Sequence, residues 1–259
     1  MFEAQDLVKQ AIERHKDNIA VACSFGKDSM VILRMALNVN PQIKVIFENT
    51  GVEFPETIRF KNMMKKKWSL NLFETKPLKS FWECAKEYGL PSIRKSGGKG
   101  GNAPLCCKYL KEKPGLILQK ELKVNAIITG LQACESRSRG LLAKRYDNKK
   151  AFYMEKNFEN EVVEFCSQRW YTKSTATWMY HPIMLWSTQD VWDYIEEHKI
   201  PINEVYTKWN GIYPRCGCLP CTAYKSWEDR LSISHPRLYL KLKHMQNPTQ
   251  DRLVGGKIL

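Results

Sequence analysis

The sequence predicts an α/β fold: a doubly wound, mostly parallel sheet with helices on both faces, plus a C-terminal helical segment carrying Cys residues. Two observations carry this. Short apolar runs alternate with segments of helical spacing through the first half of the chain. The runs are apolar throughout rather than alternating, as strands buried on both faces are. The length of 259 residues leaves ample room for a core.

The elements follow in order. Residues 17–25 (DNIAVACSF) read as a buried strand ending in small residues, and residues 27–38 as a helix with Met30, Leu33, Met35 and Leu37 near helical spacing. Residues 43–47 (IKVIF) are a second strand. Residues 55–68 form a helix that opens on a proline suited to a first turn and closes on Lys65, Lys66 and Lys67, which suit a C-terminus. A third strand is expected at 70–74, a short helix at 81–88, a helix at about 107–122 and a fourth strand at 125–131. Residues 187–198 (STQDVWDYIEEH) are a helix with Ser187 as N-cap. The stretch from residue 226 onward is helical and basic. One domain, 1–225, is expected, with an insertion at about 140–175 and a basic helical tail, 226–259, packed on it. Residues 92–105, containing SGGKGGN, read as a mobile loop. The 140–174 segment mixes Arg145, Lys149, Lys150 and Arg169 with Tyr146, Phe152, Tyr153, Trp170 and Tyr171. That mixture suits a nucleic-acid surface or an irregular insertion with partly buried aromatics.

Composition narrows the function. Lys plus Arg number 41 against 27 Asp plus Glu, a formal charge of +14, with 43% apolar and 11% aromatic residues. A largely disordered chain is excluded. No apolar run is long enough for a bilayer, and the first residues carry charge rather than a leader's apolar core, so a cytoplasmic protein is expected. The positive charge predicts an anionic partner, nucleotide phosphates or nucleic acid. Nine cysteines in a reducing compartment point to metal, cluster or redox chemistry rather than disulfides.

The string Ser24-Phe25-Gly26-Lys27-Asp28-Ser29 lies between the first strand and first helix. A helix N-terminus at the carboxyl end of a parallel strand offers unpaired N–H groups and a favourable dipole to an anion. Gly26 allows close approach, Ser24 and Ser29 can donate hydroxyl bonds, Lys27 adds a cation, and Asp28 can hold Mg²⁺ or shape the turn. An ordinary capped turn is the plain alternative.

This string resembles the PP-loop of the adenine nucleotide α-hydrolase-like superfamily, in particular its branch of phosphoadenylylsulfate and adenylylsulfate reductases. Phe25 replaces one glycine of the usual SGGKDS. Further resemblances follow in register: FENTGVEFPET at 47–57, GLQACESRSR at 130–139, the run from His181-Pro182 through Asp190-Val191-Trp192 to Asn203 and Tyr206, and GCLPCT at 217–222. The resemblance covers about residues 18–225. It implies a nucleotide site in which the PP-loop holds phosphates and Glu48, Asn49, Thr50 and Gly51 lie beside adenine and ribose. Gly130, Arg137 and Arg139 follow the fourth strand, with both arginines reaching phosphate or sulfate. Lys27, Asp28 and Arg139 are the expected catalytic residues. Gln132 stands where the family has arginine.

Five cysteines fall in two groups, Cys106-Cys107 and Cys216-Gly-Cys218-Leu-Pro-Cys221. Adjacent cysteines are awkward at one zinc ion and easier to place on separate irons. Adenylylsulfate reductases carry a [4Fe–4S] cluster on such a pair followed by C-x-x-C, and CCKYLKEKP at 106–114 resembles their segment, with Lys111 and Pro114 in place. The resemblance implies Cys106, Cys107, Cys218 and Cys221 as cluster ligands. Zn²⁺ in the same sites and reduced core thiols are the alternatives. Cys216 is a spare thiol: a sulfur carrier, an alternative ligand or inert. Cys23 and Cys84 read as core.

Sulfonucleotide reductases attack sulfur with a C-terminal cysteine, and residues 222–259 contain none. The sequence is therefore read first as an ATP pyrophosphatase. It would bind ATP and Mg²⁺, adenylate an acceptor, expected to be a nucleic acid, and release pyrophosphate and then AMP during sulfur transfer. That resembles the enzymes of DNA phosphorothioation. A sulfur-donor protein such as a cysteine desulfurase would be a partner, no membrane would be involved, and a homodimer is admitted. A sulfonucleotide reductase releasing sulfite is the second reading. A metal-stabilised nucleic-acid-binding module without catalysis is the third.

Overall fold

Apolar residues on both faces of the central strands build the centre of the molecule. The computed structural model describes residues 3–91, 105–147, 166–223 and 226–246. Its elements are α1 (Ala4–His15), β1 (Ile19–Ala22), α2 (Lys27–Val39), β2 (Lys44–Phe47), α3 (Pro55–Lys67), β3 (Leu72–Glu74), α4 (Phe81–Tyr88), α5 (Leu105–Cys107), α6 (Lys113–Glu121), β4 (Ala126–Thr129), α7 (Arg137–Asp147), β5 (Arg169–Thr172), β6 (Thr177–Tyr180), α8 (Thr188–Glu197), α9 (Trp227–Ser234) and α10 (Pro236–Gln246). The strands form one six-stranded sheet in the order β3-β2-β1-β4-β6-β5. Every pairing is parallel except β5 with β6.

Strand alternation divides the core. Ile19, Val21, Val45, Phe47, Ala126 and Ile128 face a large cluster with α1, α2, α3 and α8. Ala20, Ile46 and Ile127 face the other way, onto Leu118 and Leu122 at α6. Helices therefore cover both faces, as expected. A smaller cluster joins Phe81 and Ala85 of α4 to Leu110, Trp227, Leu231 and Leu242, so α9 and α10 pack beside α4 rather than on the sheet.

Several expectations change. Helix α1 was not predicted, although Leu7, Val8, Ala11 and Ile12 lie on one buried face. Strand β5 replaces part of the irregular insertion, and its Trp170 turns inward, which favours the buried-aromatic alternative where the insertion is described; β6, just beyond it, was not predicted and buries Trp178 and Tyr180. The helix expected at 107–122 begins at Leu105 and passes through a π-helical turn, Lys108–Glu112. Ser187 caps α8 through its hydroxyl, accepting from Asp190 N at 3.1 Å. The SGGKGGN segment, residues 148–165 and the last residues, 247–259, lie outside the described residues. Among the described residues no helix is long and apolar enough to cross a membrane.

The chain runs outward from β1 to β2 and β3, then returns to place β4 on the other side of β1. This reversal of strand order leaves a crevice at the carboxyl ends of β1 and β4, where open α/β sheets bind ligands.

Candidate active site

The PP-loop fills the crevice floor. Gly26 is the N-cap of α2 in an extended conformation. Ser29 Oγ accepts from Gly26 N at 3.1 Å and donates to Gly26 O at 2.9 Å, so this hydroxyl braces the loop. Phe25 adopts φ +56°, the left-handed region in which glycine is at ease. Its ring is fully buried, edge-on to Phe47 and Phe60 at 5.6 and 6.4 Å. A residue expected to touch nucleotide thus serves the core with its side chain and shapes the loop with its backbone.

Gly130, just beyond β4, presses on the loop. A Cβ there would lie 2.6 Å from Asp28 C and 2.9 Å from Ser29 N. Only glycine lets the end of β4 approach the first turn of α2 this closely. Beyond it Gln132 is fully buried and donates to Trp186 O and Ser187 O, both at 3.1 Å. Its carbonyl oxygen lies 3.4 Å from Lys27 Nζ, which also pairs with Asp28 at 2.5 Å. The residue standing in place of the family arginine therefore tethers the loop lysine to the start of α8.

A cavity of about 360 Å³ opens above this floor. Ser24, Gly26, Asp28, Ser29 and Gly130 line its sheet side, as expected. Lys27 stays beneath it, 6% exposed. Glu48 also lines it, with burial pushing its carboxyl up and Lys111 opposing that shift. Asn49, Thr50 and Gly51 stand outside the wall. Asn49 bonds Glu74 and Gly51 N, while Thr50 donates from both N and Oγ1 to Glu53. They shape the turn rather than face the ligand. Arg139 lines the cavity and pairs with Glu135. Arg137 is exposed at the start of α7, outside the cavity wall.

The opposite wall comes from residues 203–217 and was largely missed. Asn203 is buried and donates to Phe25 O at 3.3 Å and Thr57 Oγ1 at 3.0 Å. Tyr206 accepts from Lys27 N at 3.0 Å. Arg215, Cys216 and Gly217 complete this side. Tyr206 and Asn203 belong to the run quoted above, and Arg215 immediately precedes the cysteine group, so position in the motif was the available signal. Burial pushes the Cys216 thiol up to about 11, against hydrogen bonds with Tyr206 and Thr57.

The thiols gather beside this cavity. Cys106 and Cys107 share a hydrogen bond. That bond holds Cys107 down at about 7, with help from Lys111, and pushes Cys106 up, where the charges of Cys107, Cys221 and Cys218 add to the rise. Burial raises Cys218 and Cys221. The C-x-x-C loop is zipped onto the residues after β2: Leu219 N donates to Val52 O at 2.8 Å, and Cys218 Sγ to Thr50 Oγ1 at 3.5 Å. The structure thus brings the four expected ligands into one neighbourhood. Among the described residues, however, no three His, Cys, Asp or Glu side chains converge to hold a single metal ion.

Residues 18–224 match the model of the phosphoadenosine phosphosulfate reductase domain. The chain belongs to this family. The adenosine 5'-phosphosulfate reductase of Bacillus cereus (strain B4264) is 30% identical over 221 residues, covering 85% of this chain and 79% of that protein. The enzyme of the same name from Geobacillus sp. (strain WCH70) is 28% identical over 222 residues, with the same coverage. The crystal structure of phosphoadenylyl-sulfate reductase from Candida auris, a phosphate complex, aligns with a TM-score of 0.51 at 21% identity. It covers 79% of this chain and 83% of that one, a likeness of fold. As a phosphoadenosine phosphosulfate reductase family member, the chain keeps the PP-loop, although its Phe25 and Gln132 do structural work at positions where the sequence comparison above expects glycine and arginine.

Proposed function

We propose that the cavity binds adenylyl sulfate and that the chain is a sulfonucleotide reductase. The observation that carries this is the adjacency of an anion-binding loop and a group of thiols. Lys111 lines the nucleotide cavity and also lowers Cys107, one helical turn away. The family and its curated relatives support the same chemistry. The adenosine would lie toward Glu48, with the anionic end held by the PP-loop amides, Arg139 and Arg215. In the reaction the S–O bond between sulfate and AMP breaks, AMP leaves, and an external dithiol supplies two electrons and becomes a disulfide. Sulfite is the product. The chain's work is positioning and charge neutralisation at the bridging oxygen.

Cys106, Cys107, Cys218 and Cys221 would hold a [4Fe–4S] cluster. Their placement suits the group: a single tetrahedral zinc needs four sulfurs each about 2.3 Å from one point, whereas a cubane takes each thiolate on a different iron. When bound, the cluster supplies a redox couple and a fixed charge beside the cavity.

A second reading keeps ATP as substrate. Asp28, Glu48, Glu53 and Glu135 line the cavity, an unusual number of carboxylates for an anion site unless Mg²⁺ accompanies the phosphates. The chain would then be an ATP pyrophosphatase that adenylates an acceptor. The +14 charge suits a nucleic acid, with a sulfur-donor protein such as a cysteine desulfurase supplying the sulfur.

One assay separates these readings. Anaerobically purified protein is given adenylyl sulfate, its 3'-phosphorylated form or ATP, with a dithiol present. AMP and sulfite from adenylyl sulfate are expected. AMP and pyrophosphate from ATP, with no sulfite from either sulfonucleotide, would replace the first reading by the second. Neither activity, with salt-sensitive nucleic-acid binding, would leave a binding module. Four irons per chain are expected, lost in Cys107→Ala; stoichiometric zinc in a colourless preparation would overturn the cluster.

A further inference from the structure

The cavity contains a thiol that the proposed cluster does not use. We infer that Cys216 is the nucleophile that takes the sulfur group from the bound nucleotide, an assignment that rests on the sulfonucleotide reading. Three observations place it there. Cys216 lines the same cavity as Ser24, Gly26 and Asp28. Its Cβ lies 3.9 Å from where a Cβ on Gly26 would stand, so it abuts the N-cap of α2 where an anion is held. Tyr206 stands beside it: its hydroxyl accepts from Lys27 N at 3.0 Å and lies 3.0 Å from that same Cβ position on Gly26. The side chain thus stands beside the Tyr206 hydroxyl against the phosphate loop.

The other cysteines are placed elsewhere. Cys23 borders the cavity, but it is 2% exposed and its thiol lies against Ser29 O and Oγ at 3.9 and 3.7 Å. Cys84 is buried on α4, and Cys134 turns its thiol to Trp186 O at 3.5 Å. Cys166 lies at the start of the β5–β6 hairpin. Cys106, Cys107, Cys218 and Cys221 are committed to the cluster.

The step balances within the cavity. Cys216 Sγ forms a bond to the sulfate sulfur as the S–O bond to AMP breaks. The electron pair of that bond stays on the AMP phosphate, which accepts the thiol proton. The product is an S-sulfocysteine. An external dithiol then attacks Cys216 Sγ, the S–S bond breaks, sulfite leaves with its electron pair, and the resulting mixed disulfide resolves on the dithiol's second sulfur. Cys216 returns as a thiol.

Wild-type protein is mixed with adenylyl sulfate without reductant, and the peptides are analysed by mass. One equivalent of AMP and one added SO₃ on the Cys216 peptide are expected. Cys216→Ser is expected to lose the adduct and roughly a hundredfold or more of turnover, while retaining adenylyl sulfate binding, iron content and melting temperature. As a second measurement, AMP is expected to slow alkylation of Cys216 in the wild type. An SO₃ group on another cysteine, or wild-type turnover by Cys216→Ser, overturns the assignment and leaves the sulfonucleotide reading standing. No AMP from the wild type without reductant overturns the assignment alone when AMP and sulfite appear once a dithiol is added; no AMP with the dithiol present overturns both.

Discussion

The two walls of the cavity are made in different ways. The sheet wall is backbone: the last residues of β1 and β4, the PP-loop and Gly130, fixed by contacts with no room for a methyl group. The C-terminal wall is side chain: Tyr206, Arg215 and Cys216, held to the loop by Asn203 and Tyr206 across nearly 180 positions of sequence. In the proposed function the first wall places the anion, and the second presents the reacting group to it. Closely packed backbone tolerates little change, whereas a wall of side chains can be altered without moving the anion site.

The sharpest way to break this contrast is Gly130→Ala. The new methyl would meet the carbonyl carbon and oxygen of Asp28 at 2.6 and 2.7 Å, both backbone. The loop must move, so loss of nucleotide binding is expected together with about 1–3 kcal/mol of stability. Equilibrium dialysis with AMP and a melting curve check it. Gly115→Ala is the control: its methyl would meet Glu48 Oε1 at 2.9 Å, the free end of a side chain that can swing aside. A modest loss of nucleotide affinity is expected there, with an unchanged fold. Equal damage from both substitutions would remove the distinction between the walls.

Next in size is Phe25→Gly. The substitution restores the residue that the resembling string carries and relieves a left-handed conformation worth about 1–2 kcal/mol. It also deletes a fully buried ring, at about 3–5 kcal/mol by the phenylalanine-to-alanine scale. A net loss of stability is expected with nucleotide binding retained, read by denaturant unfolding and dialysis. A gain in stability would show that Phe25 is strained rather than anchored.

Asn203→Ala probes the second wall. It removes both bonds to Phe25 O and Thr57 Oγ1 and the cap on Val205 N. A loss of about 1–3 kcal/mol is expected from the unpaired buried groups. Turnover should fall more than AMP affinity, because the thiol side moves and the anion floor stays. An equal fall in both would merge the walls.

These differences also decide what could be read in advance. The strands, the PP-loop and Ser187 as N-cap are local patterns, and they appear within a few residues of where the sequence places them. Helix α1 was legible in its spacing. Strand β5 was not, because its aromatics look equally like a basic binding surface until Trp170 is seen to be buried. Gln132 could not be read at all: only the fold reveals that it reaches both Lys27 and the start of α8. The four thiols that resemblance names as cluster ligands were expected together, and the structure places them in one neighbourhood. The place of Cys216 depended on a loop closing over the sheet.

The smallest expected effect comes from protons behind the walls. His181 backs the sheet wall, its Nδ1 2.6 Å from Thr129 Oγ1, and burial holds its pKa down at about 3. His15, bonded to the Tyr180 hydroxyl at 2.9 Å, is held down at about 4, again chiefly by burial. Both are neutral in the folded chain at pH 5, where the unfolded chain, with histidine at 6.5, is mostly protonated. The unfolded state then binds more protons, so stability rises with pH. Their contribution is fully present above about pH 6.5 and is lost as pH falls toward 4. Carboxylates titrate mainly below this window, so the slope between pH 6.5 and 5 belongs largely to histidine. His235, lowered by burial among Phe54 and Trp209, adds to it from the C-terminal wall. Urea unfolding at pH 5, 6 and 7.5 should show the loss, and His15→Gln should flatten the slope without touching nucleotide affinity. A flat profile in the wild type would mean that the histidines are charged in the folded chain and that the interior behind the sheet wall is wetter than its packing indicates.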